Sequence, residues 1–431
     1  MQSKIIQVEE RVPLGKGIAL SLQHMFAMFG ASVLVPILFG INPGVVLLMN
    51  GIGTLIFILI TKGKAPAYLG SSFAFLAPVF MVIGNGSTQD VSKYPLALGG
   101  FVTVGVVIVI VALIIKLFGT KWIDVILPPA AMGPVVALIG LTLAGTAAQN
   151  GGLPVTGVDL STIDYRNVTV FCITLFVAVF GSILFRKFLA VIPILIAIVV
   201  GYVTAALFGL VNFEAVKTAA LFSLPEFRTP VFNVNAILII LPAALVIVTE
   251  HIGHQMVTGK IVGRDLIKDP GLHRSLLSDG VSTALSGMVG AVPTTTYGEN
   301  IGVMAITKVY SVWVIGGAAV ISVIVAFIGP VSALIQSMPW SVIGGVSFML
   351  YGMIAASGLR LLVEAKVDYS KSRNLALTAV VLVTGLSNAY IPISSSFQLS
   401  GLTLATIIGM FLGLVFWLLD KAKLTNDRDN A

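Results

Sequence analysis

The stretch RSLLSDGVSTALSGMVGAVPTTTYGENIGVMAITK, residues 274–308, decides how this chain folds. Its basic ends, Arg274 and Lys308, lie on one face of a membrane by the charge distribution of the whole chain, so the segment between them must cross and return. Only 33 residues separate them, whereas two full helical spans need roughly 40. Gly287, Gly290, Pro293 and Gly298 interrupt the stretch, and Thr294-Thr295-Thr296 favours extended backbone. An extended residue advances about 3.3 Å against about 1.5 Å in a helix, so a short strand leading into a half-helix closes the gap. The half-helix is predicted to start at Gly298 or Glu299. Non-helical backbone at this depth survives only where it lines a cavity or is buried in protein.

The rest of the chain agrees with a membrane setting. Its 431 residues are 57% hydrophobic and 10% charged, and the mean hydropathy is +1.04, too apolar for a soluble globular protein. Apolar segments are read at 18–40, 44–61, 68–84, 95–116, 123–145, 167–185, 189–211, 234–258, 276–290, 297–307, 311–330, 338–358, 374–389 and 400–419. With both termini cytoplasmic, every Lys and Arg falls inside except Lys93, Arg166, Lys217 and Arg228. That bias is the positive-inside rule, so the net charge of +7 is a topology signal and not a nucleic-acid patch. The single cysteine, Cys172, excludes an internal disulfide and a Cys-based metal cluster, and packing in the core is its expected role. Met1–Lys16 is too polar for a cleaved signal, and a full-length span follows it.

The two halves echo each other. Asn50-Gly51-Ile52-Gly53-Thr54 matches Asp279-Gly280-Val281-Ser282-Thr283. Pro66-Ala67-Tyr68-Leu69-Gly70 matches Pro293 through Tyr297-Gly298, and Pro128…Gly133…Gly140 matches Pro339…Gly344…Gly352. Three echoes in the same order imply a duplication of seven spans, with the second copy starting near Asn233. Seven is odd, so the second copy enters the membrane inverted. That architecture belongs to secondary transporters, with the site at the midplane between repeats. By the same repeat a second half-helix starts near Ser72 or Phe73, and two such N-termini would offer free N–H donors to a small ligand.

Glu250 and Glu299 stand out in this frame. A carboxylate at bilayer depth persists mainly where it binds something or moves a proton, and the other Asp and Glu residues are assigned to loops, tails or segment ends. In Glu250-His251-Ile252-Gly253-His254, Glu250 and His254 share a helix face and His251 is turned about 100° away. His251 and His24 read as packing or helix–helix contacts. Glu299 could also serve as a simple N-terminal cap. Tyr297 and Phe73 flank the two breaks and could stack on a planar ligand or pack. The order E-H-x-x-H lacks the histidine spacing of the zinc motif H-E-x-x-H, which argues against a metalloenzyme.

Glu299-Asn300-Ile301-Gly302, followed by Thr307-Lys308, resembles the [Q/E]-N-x-G-x4-T-[R/K] motif of the nucleobase–ascorbate transporters, or nucleobase–cation symporter family 2. Residues 66–75, the Glu250–His254 cluster and Thr296-Tyr297-Gly298 extend the resemblance over nearly the whole chain. It implies an all-α polytopic membrane protein of 14 transmembrane segments in two inverted seven-span repeats, with short antiparallel strands in broken spans 3 and 10. The expected organisation is an N-terminal cytoplasmic tail (1–17), core-domain spans 1–4 (18–122), gate-domain spans 5–7 (123–232), core spans 8–11 (233–336), gate spans 12–14 (337–420) and a C-terminal cytoplasmic tail (421–431).

The resemblance further implies a proton-coupled symporter, not an enzyme, with no cofactor or bound metal, in the bacterial cytoplasmic membrane. The expected cargo is uracil, contacted by Glu250, Glu299, Tyr297 and the backbone at Phe73 and Gly298. His254, with Glu250 and Glu299, is expected to couple the proton. Uracil offers two N–H donors and two carbonyl acceptors, matching two carboxylates and the half-helix N–H groups. Purine carriers of this family often have Gln where Glu299 stands, and an ionised carboxylate only accepts, which favours a pyrimidine. A xanthine or purine symporter of the same family, a passive channel and an intramembrane metalloenzyme are the alternatives. A homodimer through the gate domain is compatible with this architecture.

Overall fold

Proline and glycine break the apolar sequence into helices whose ends are set by missing N–H groups and left-handed caps. The computed structural model describes residues 5–84, 88–154, 163–186, 189–387, 389–394 and 397–425. The outer ends of both expected tails, 1–4 and 426–431, lie outside the described residues, as does position 388 in predicted span 13. The first half carries α1 (Leu14–Phe39), α2 (Pro43–Ile60), β1 (Leu69–Ser71) and a 3₁₀ turn, Phe73–Phe75, running into α3 (Leu76–Ile83). It continues through α4 (Tyr94–Phe118), the short α5 (Lys121–Ile126), α6 (Pro129–Asn150), α7 (Tyr165–Leu184) and α8 (Pro193–Leu207). After α9 (Glu214–Thr218) come α10 (Val234–Ile240), α11 (Ala243–Val262), α12 (Leu272–Val289), β2 (Thr294–Thr296), α13 (Gly298–Thr307) and α14 (Val312–Ala326). The chain closes with α15 (Gly329–Gln336), α16 (Trp340–Glu364), α17 (Ser372–Leu386), a hairpin of β3 (Tyr390–Ser394) and β4 (Phe397–Ser400), and α18 (Gly401–Lys421).

Eight helices among the described residues are long and apolar enough to cross a membrane, so this is a multi-pass membrane protein. Four shorter apolar helices, Phe73–Ile83, Pro193–Leu207, Val312–Ala326 and Ser372–Leu386, stand where further spans are predicted. Three features differ from expectation. Predicted span 5, 123–145, is broken at Pro128, so that the short α5 ends at Ile126 and α6 runs Pro129–Asn150. Predicted span 8 is two helices, α10 and α11, because Pro242 cannot continue the hydrogen-bond ladder. Cys172 is exposed on α7 rather than packed in the core, since a spanning helix turns apolar residues outward as readily as inward.

The packing has a regularity that follows from the echoes. The pairing of α2 with α14 recurs as α12 with α4, and α6 with α17 recurs as α16 with α7. Likewise α7 with α8 recurs as α17 with α18, and α2 with β1 as α12 with β2. The contacts cross the exchange of halves at α6–α16 and at β1–β2. Matched residues also do matched work. Thr54 Oγ1 accepts from Leu69 N at 2.9 Å, tying α2 to β1, and Thr283 Oγ1 donates to Thr294 O at 2.9 Å, tying α12 to β2. Pro128 and Pro339 cap α6 and α16 at equivalent places. Between those two helices small residues permit backbone approach: a Cβ on Gly133 would stand 2.9 Å from Gly358 O, and one on Gly140 would overlap Tyr351 O.

The N-terminal segment is more than a polar tail. Ile6 and Val8 are buried while Gln7 and Glu9 face out, the alternation of a strand. Ile6 N donates to Lys308 O at 3.0 Å, Tyr310 N to Ile6 O at 2.8 Å and Val312 N to Val8 O at 2.9 Å. Arg264, just past α11, grips the Glu9 carboxylate with both terminal nitrogens, Nη2 at 2.8 Å. The strap therefore joins the ends of α11 and α13.

Candidate functional site at the broken helices

β1 and β2 pair antiparallel, with Leu69 opposite Thr296, Gly70 opposite Thr295 and Ser71 opposite Thr294. All six residues are buried, so the pair satisfies its own backbone in the interior. Tyr297 N donates to Tyr68 O at 3.1 Å and Ser72 N to Pro293 O at 2.9 Å, extending the ladder at both ends. Each strand then delivers the chain to a helical start: the turn at Phe73, and α13 at Gly298. Neither start has a side-chain cap, so first-turn N–H groups at both lack the usual oxygen partner.

The threonines of β2 each serve a different neighbour. Thr294 Oγ1 bonds Ser282 Oγ at 2.5 Å, Thr295 Oγ1 donates to Asp279 Oδ2 at 3.1 Å, and Thr296 Oγ1 bonds His254 Nδ1 at 3.1 Å. Thr294 and Thr295 thus reach α12 and Thr296 reaches α11, so three residues tie the strand to two helices.

Around this junction the structure gathers most of the expected residues. Glu250 and His254 share a face of α11, with His254 Nε2 4.0 Å from Glu250 Oε1, beyond hydrogen-bond reach. Their side chains are 35% and 20% exposed, so they border open space rather than packed core. A Cβ on Gly298 would stand 3.3 Å from His254 Nε2, which brings the start of α13 against α11. Glu299 follows at the first turn of α13, half-buried and near enough to Glu250 to interact electrostatically. Phe73 is half-buried and bridges two apolar clusters. Tyr297 differs: it is 4% exposed, its ring fills the space a Cβ on Gly70 would take, and its hydroxyl donates to Ser71 O at 3.1 Å. Its ring thus forms a wall behind the strands.

Two interactions escape a reading by residue type alone. Asp279, assigned to a segment end, is fully buried in α12 and accepts from His251 Nδ1 at 2.8 Å as well as from Thr295. His251 Nε2 meets Ser275 Oγ at 2.8 Å. This buried dyad holds α11, α12 and β2 together, and the signal available was a carboxylate inside predicted span 9. The second is Asn300, next to Glu299, whose amide bridges Tyr68 N and His24. No group of His, Cys, Asp and Glu among the described residues has the arrangement of a metal site.

A family model described as the permease family (Xan_ur_permease) matches residues 15–394. The chain belongs to this permease family. Among similar members, the uracil permease of Paenibacillus larvae subsp. larvae is 53% identical over 428 residues, covering 99% of this chain and 100% of that protein. The uracil permease of Escherichia coli (strain K12) is 53% identical over 420 residues, 97% of this chain and 95% of the relative. The putative pyrimidine permease RutG of Escherichia coli (strain K12) is 40% identical over 416 residues, 95% and 92% of the two chains. Among solved structures, murine Slc26a9 in the inward-facing state superposes with a TM-score of 0.72 at 10% identity, over 94% of this chain and 69% of that one. The transmembrane domain of the cyanobacterial bicarbonate transporter BicA gives 0.61 at 14% identity, over 96% and 99%. These structural likenesses speak for the fold alone.

Proposed function

We propose that this permease is a proton-coupled uracil symporter of the bacterial cytoplasmic membrane, importing the base by alternating access. The observation that carries the reading is the meeting of two partly exposed carboxylates, Glu250 and Glu299, at uncapped helix starts inside the fold. End-to-end similarity to proteins named uracil permease supports the choice of base. On this reading the chain makes 14 spans in two inverted repeats, with both termini cytoplasmic. The core domain is 18–122 with 233–336, and the gate domain is 123–232 with 337–420. The packing recurrence and the likeness to transporter folds support that division.

Uracil is flat and neutral, so its recognition is a matter of donors and acceptors. The carboxylates of Glu250 and Glu299 accept from the two ring N–H groups. The free backbone N–H groups at Phe73 and Gly298 donate to the carbonyls. Phe73 stacks on the ring, and Tyr297 holds the strand wall behind the base. A charged acceptor makes stronger hydrogen bonds than a neutral one, about 1.5–3 kcal/mol against about 0.5–1.5.

For coupling, His254 holds and passes a proton at Nε2. The 4.0 Å gap to Glu250 Oε1 must shorten by about 1 Å, or be bridged by one water, for transfer to occur. With base and proton in place, the core moves against the gate along the small-residue seams, and release inside resets the site. One proton crossing 100 mV supplies about 2.3 kcal/mol, enough for roughly 50-fold accumulation from the potential alone.

The test is uptake of labelled uracil into proteoliposomes holding the purified protein. An imposed inward proton gradient should drive accumulation, and an uncoupler should abolish it. Uptake indifferent to the uncoupler would replace the symporter with a passive channel. Stronger competition by xanthine than by uracil would replace uracil with a purine.

A further inference from the structure

We infer that His24 works as a neutral hydrogen-bond acceptor whose protonation loosens the half-helix from its buried supports, making it a pH-sensitive positioning residue for base binding. The argument rests on the symporter reading for its ligand and on hydrogen-bond logic for its mechanism. It begins at Tyr68, whose backbone N–H can only donate. That N–H points at Asn300 Oδ1 at 3.3 Å, which fixes the amide so that its NH₂ faces the other way. Asn300 Nδ2 then lies 3.0 Å from His24 Nδ1 and must donate to it. Nδ1 is therefore the acceptor, and the ring proton of neutral His24 sits on Nε2. Both side chains are buried, at 1% exposed for each, so water offers no alternative partner to the bridge.

The bridge joins three elements that frame the site. His24 belongs to α1, Asn300 to the first turn of α13 beside Glu299, and Tyr68 leads directly into β1. A proton added at Nδ1 sets donor against donor. Turning the Asn300 amide to accept from His24 would aim its NH₂ at the Tyr68 N–H, moving the clash without removing it. Either way α13 loses one of its two buried supports, to His24 on α1 or to Tyr68 before β1, and Gly298 and Glu299 are held less firmly.

The surroundings offer nothing to compensate a cation at His24. The titratable groups that neighbouring elements bring to this corner are Glu299 on α13, Tyr68 and Tyr297 at the strand ends, and Tyr310 beside Met25 and Met28. Neither α2 nor α14, which pack on α1, contains an acidic residue. Glu299 is engaged at the site and is joined to Asn300 along the backbone, not to His24.

Asparagine places an oxygen close to where Nδ1 of histidine stands, and it does not titrate. The experiment is calorimetric binding of uracil to the purified full-length protein between pH 3.5 and 8, for the natural chain, His24→Asn and His24→Leu, because an uncompensated buried imidazole takes its proton only well below the ordinary histidine range. Affinity of the natural chain should fall severalfold more toward pH 3.5 than that of His24→Asn, with about tenfold, the size of one lost buried hydrogen bond, as the ceiling. His24→Leu should bind about tenfold more weakly across the range. Parallel acid losses in the natural chain and His24→Asn would overturn the inference. A second readout needs no ligand: ¹⁵N-histidine NMR of the natural chain, with His24 assigned by the resonance missing from either variant. The expected signature is the neutral Nε2–H tautomer, and an Nδ1–H signature refutes the mechanism. Failure of the natural chain to bind uracil at any pH would count against the transport reading, while the NMR result would still judge the role of His24.

Discussion

Asp279 offers the sharpest test of how the site is held. Its Oδ2 accepts from His251 Nδ1 at 2.8 Å and from Thr295 Oγ1 at 3.1 Å, and the side chain is 0% exposed. Asp279→Ala leaves two buried donors without an acceptor, each costing about 1–3 kcal/mol, so roughly 2–6 kcal/mol in all. Asp279→Asn keeps an acceptor oxygen and removes a buried charge. The two bonds weaken from charge-assisted to neutral, about 1 kcal/mol each, while a desolvation cost is relieved. The asparagine variant should therefore stay within about 2 kcal/mol of the natural chain. The assay is thermal unfolding of purified protein in one detergent, read by intrinsic fluorescence. Alanine should lower Tm by roughly 5 °C or more, with asparagine in between. Equal losses for both variants would mean that the charge, and not the acceptor geometry, holds α11, α12 and β2 together. No loss for alanine would dissolve the argument altogether.

Other expectations follow the same logic. Gly70→Ala puts a methyl into the Tyr297 ring, so about 1–3 kcal/mol of stability should disappear, together with base binding; an unchanged Tm would show that the wall yields freely. Glu299→Gln removes a charged acceptor and should weaken uracil binding about tenfold in calorimetry, whereas unchanged affinity removes Glu299 from the site. His254→Ala should spare binding more than uphill transport, and equal loss of both would deny it a coupling role. The hydrogen bond from Arg264 holds the Glu9 carboxyl below its usual range. Its contribution is thus complete above ordinary carboxylate pKa values and fades as pH falls through the depressed one. Glu9→Gln should cost about 1 kcal/mol or less at neutral pH, because the pair is largely exposed, and nothing once the medium is acid enough to protonate Glu9; a stability loss that persists there would show a role beyond the ion pair.

Much of this was readable because membrane physics leaves few choices. The segment between Arg274 and Lys308 was too short for two helices, and the structure breaks it at Gly290, pairs Thr294–Thr296 as a strand and restarts the helix at Gly298. Glu250 and Glu299 were conspicuous because carboxylates are scarce in apolar sequence. Asp279 was not, because α12 is polar enough along its length, with Ser275, Ser278, Ser282, Thr283 and Ser286, that one more polar residue attracts no notice. That polarity is itself explained by burial among α2, α4 and β2 rather than against lipid. The strap at Ile6–Glu10 was also hidden. Five residues of alternating burial are too few to outweigh a charged segment, and their partner at 308–312 is distant in sequence.

The scaffold repeats, but the side-chain chemistry at its echoed positions does not. Asn50 and Asp279 hold echoed positions on α2 and α12, and each is 0% exposed. A histidine precedes each by a similar interval, His24 on α1 and His251 on α11. In the second copy the pair closes on itself, His251 to Asp279, locking α11 onto α12. In the first copy it does not: His24 reaches across to Asn300 instead, tying the first copy to the second beside Glu299. A duplicated fold supplies two broken helices facing one another. On the proposed reading, one internal lock and one cross-link between copies turn that symmetry into a single oriented pocket, with both carboxylates contributed by the second copy and the opposing start at Phe73 by the first. Exchanging the two echoed residues, Asn50→Asp together with Asp279→Asn, should move the buried charge to a helix with no histidine placed to receive it. Stability should then fall below that of Asp279→Asn alone, and an equal Tm for the two would show that the asymmetry of the locks carries no energetic weight.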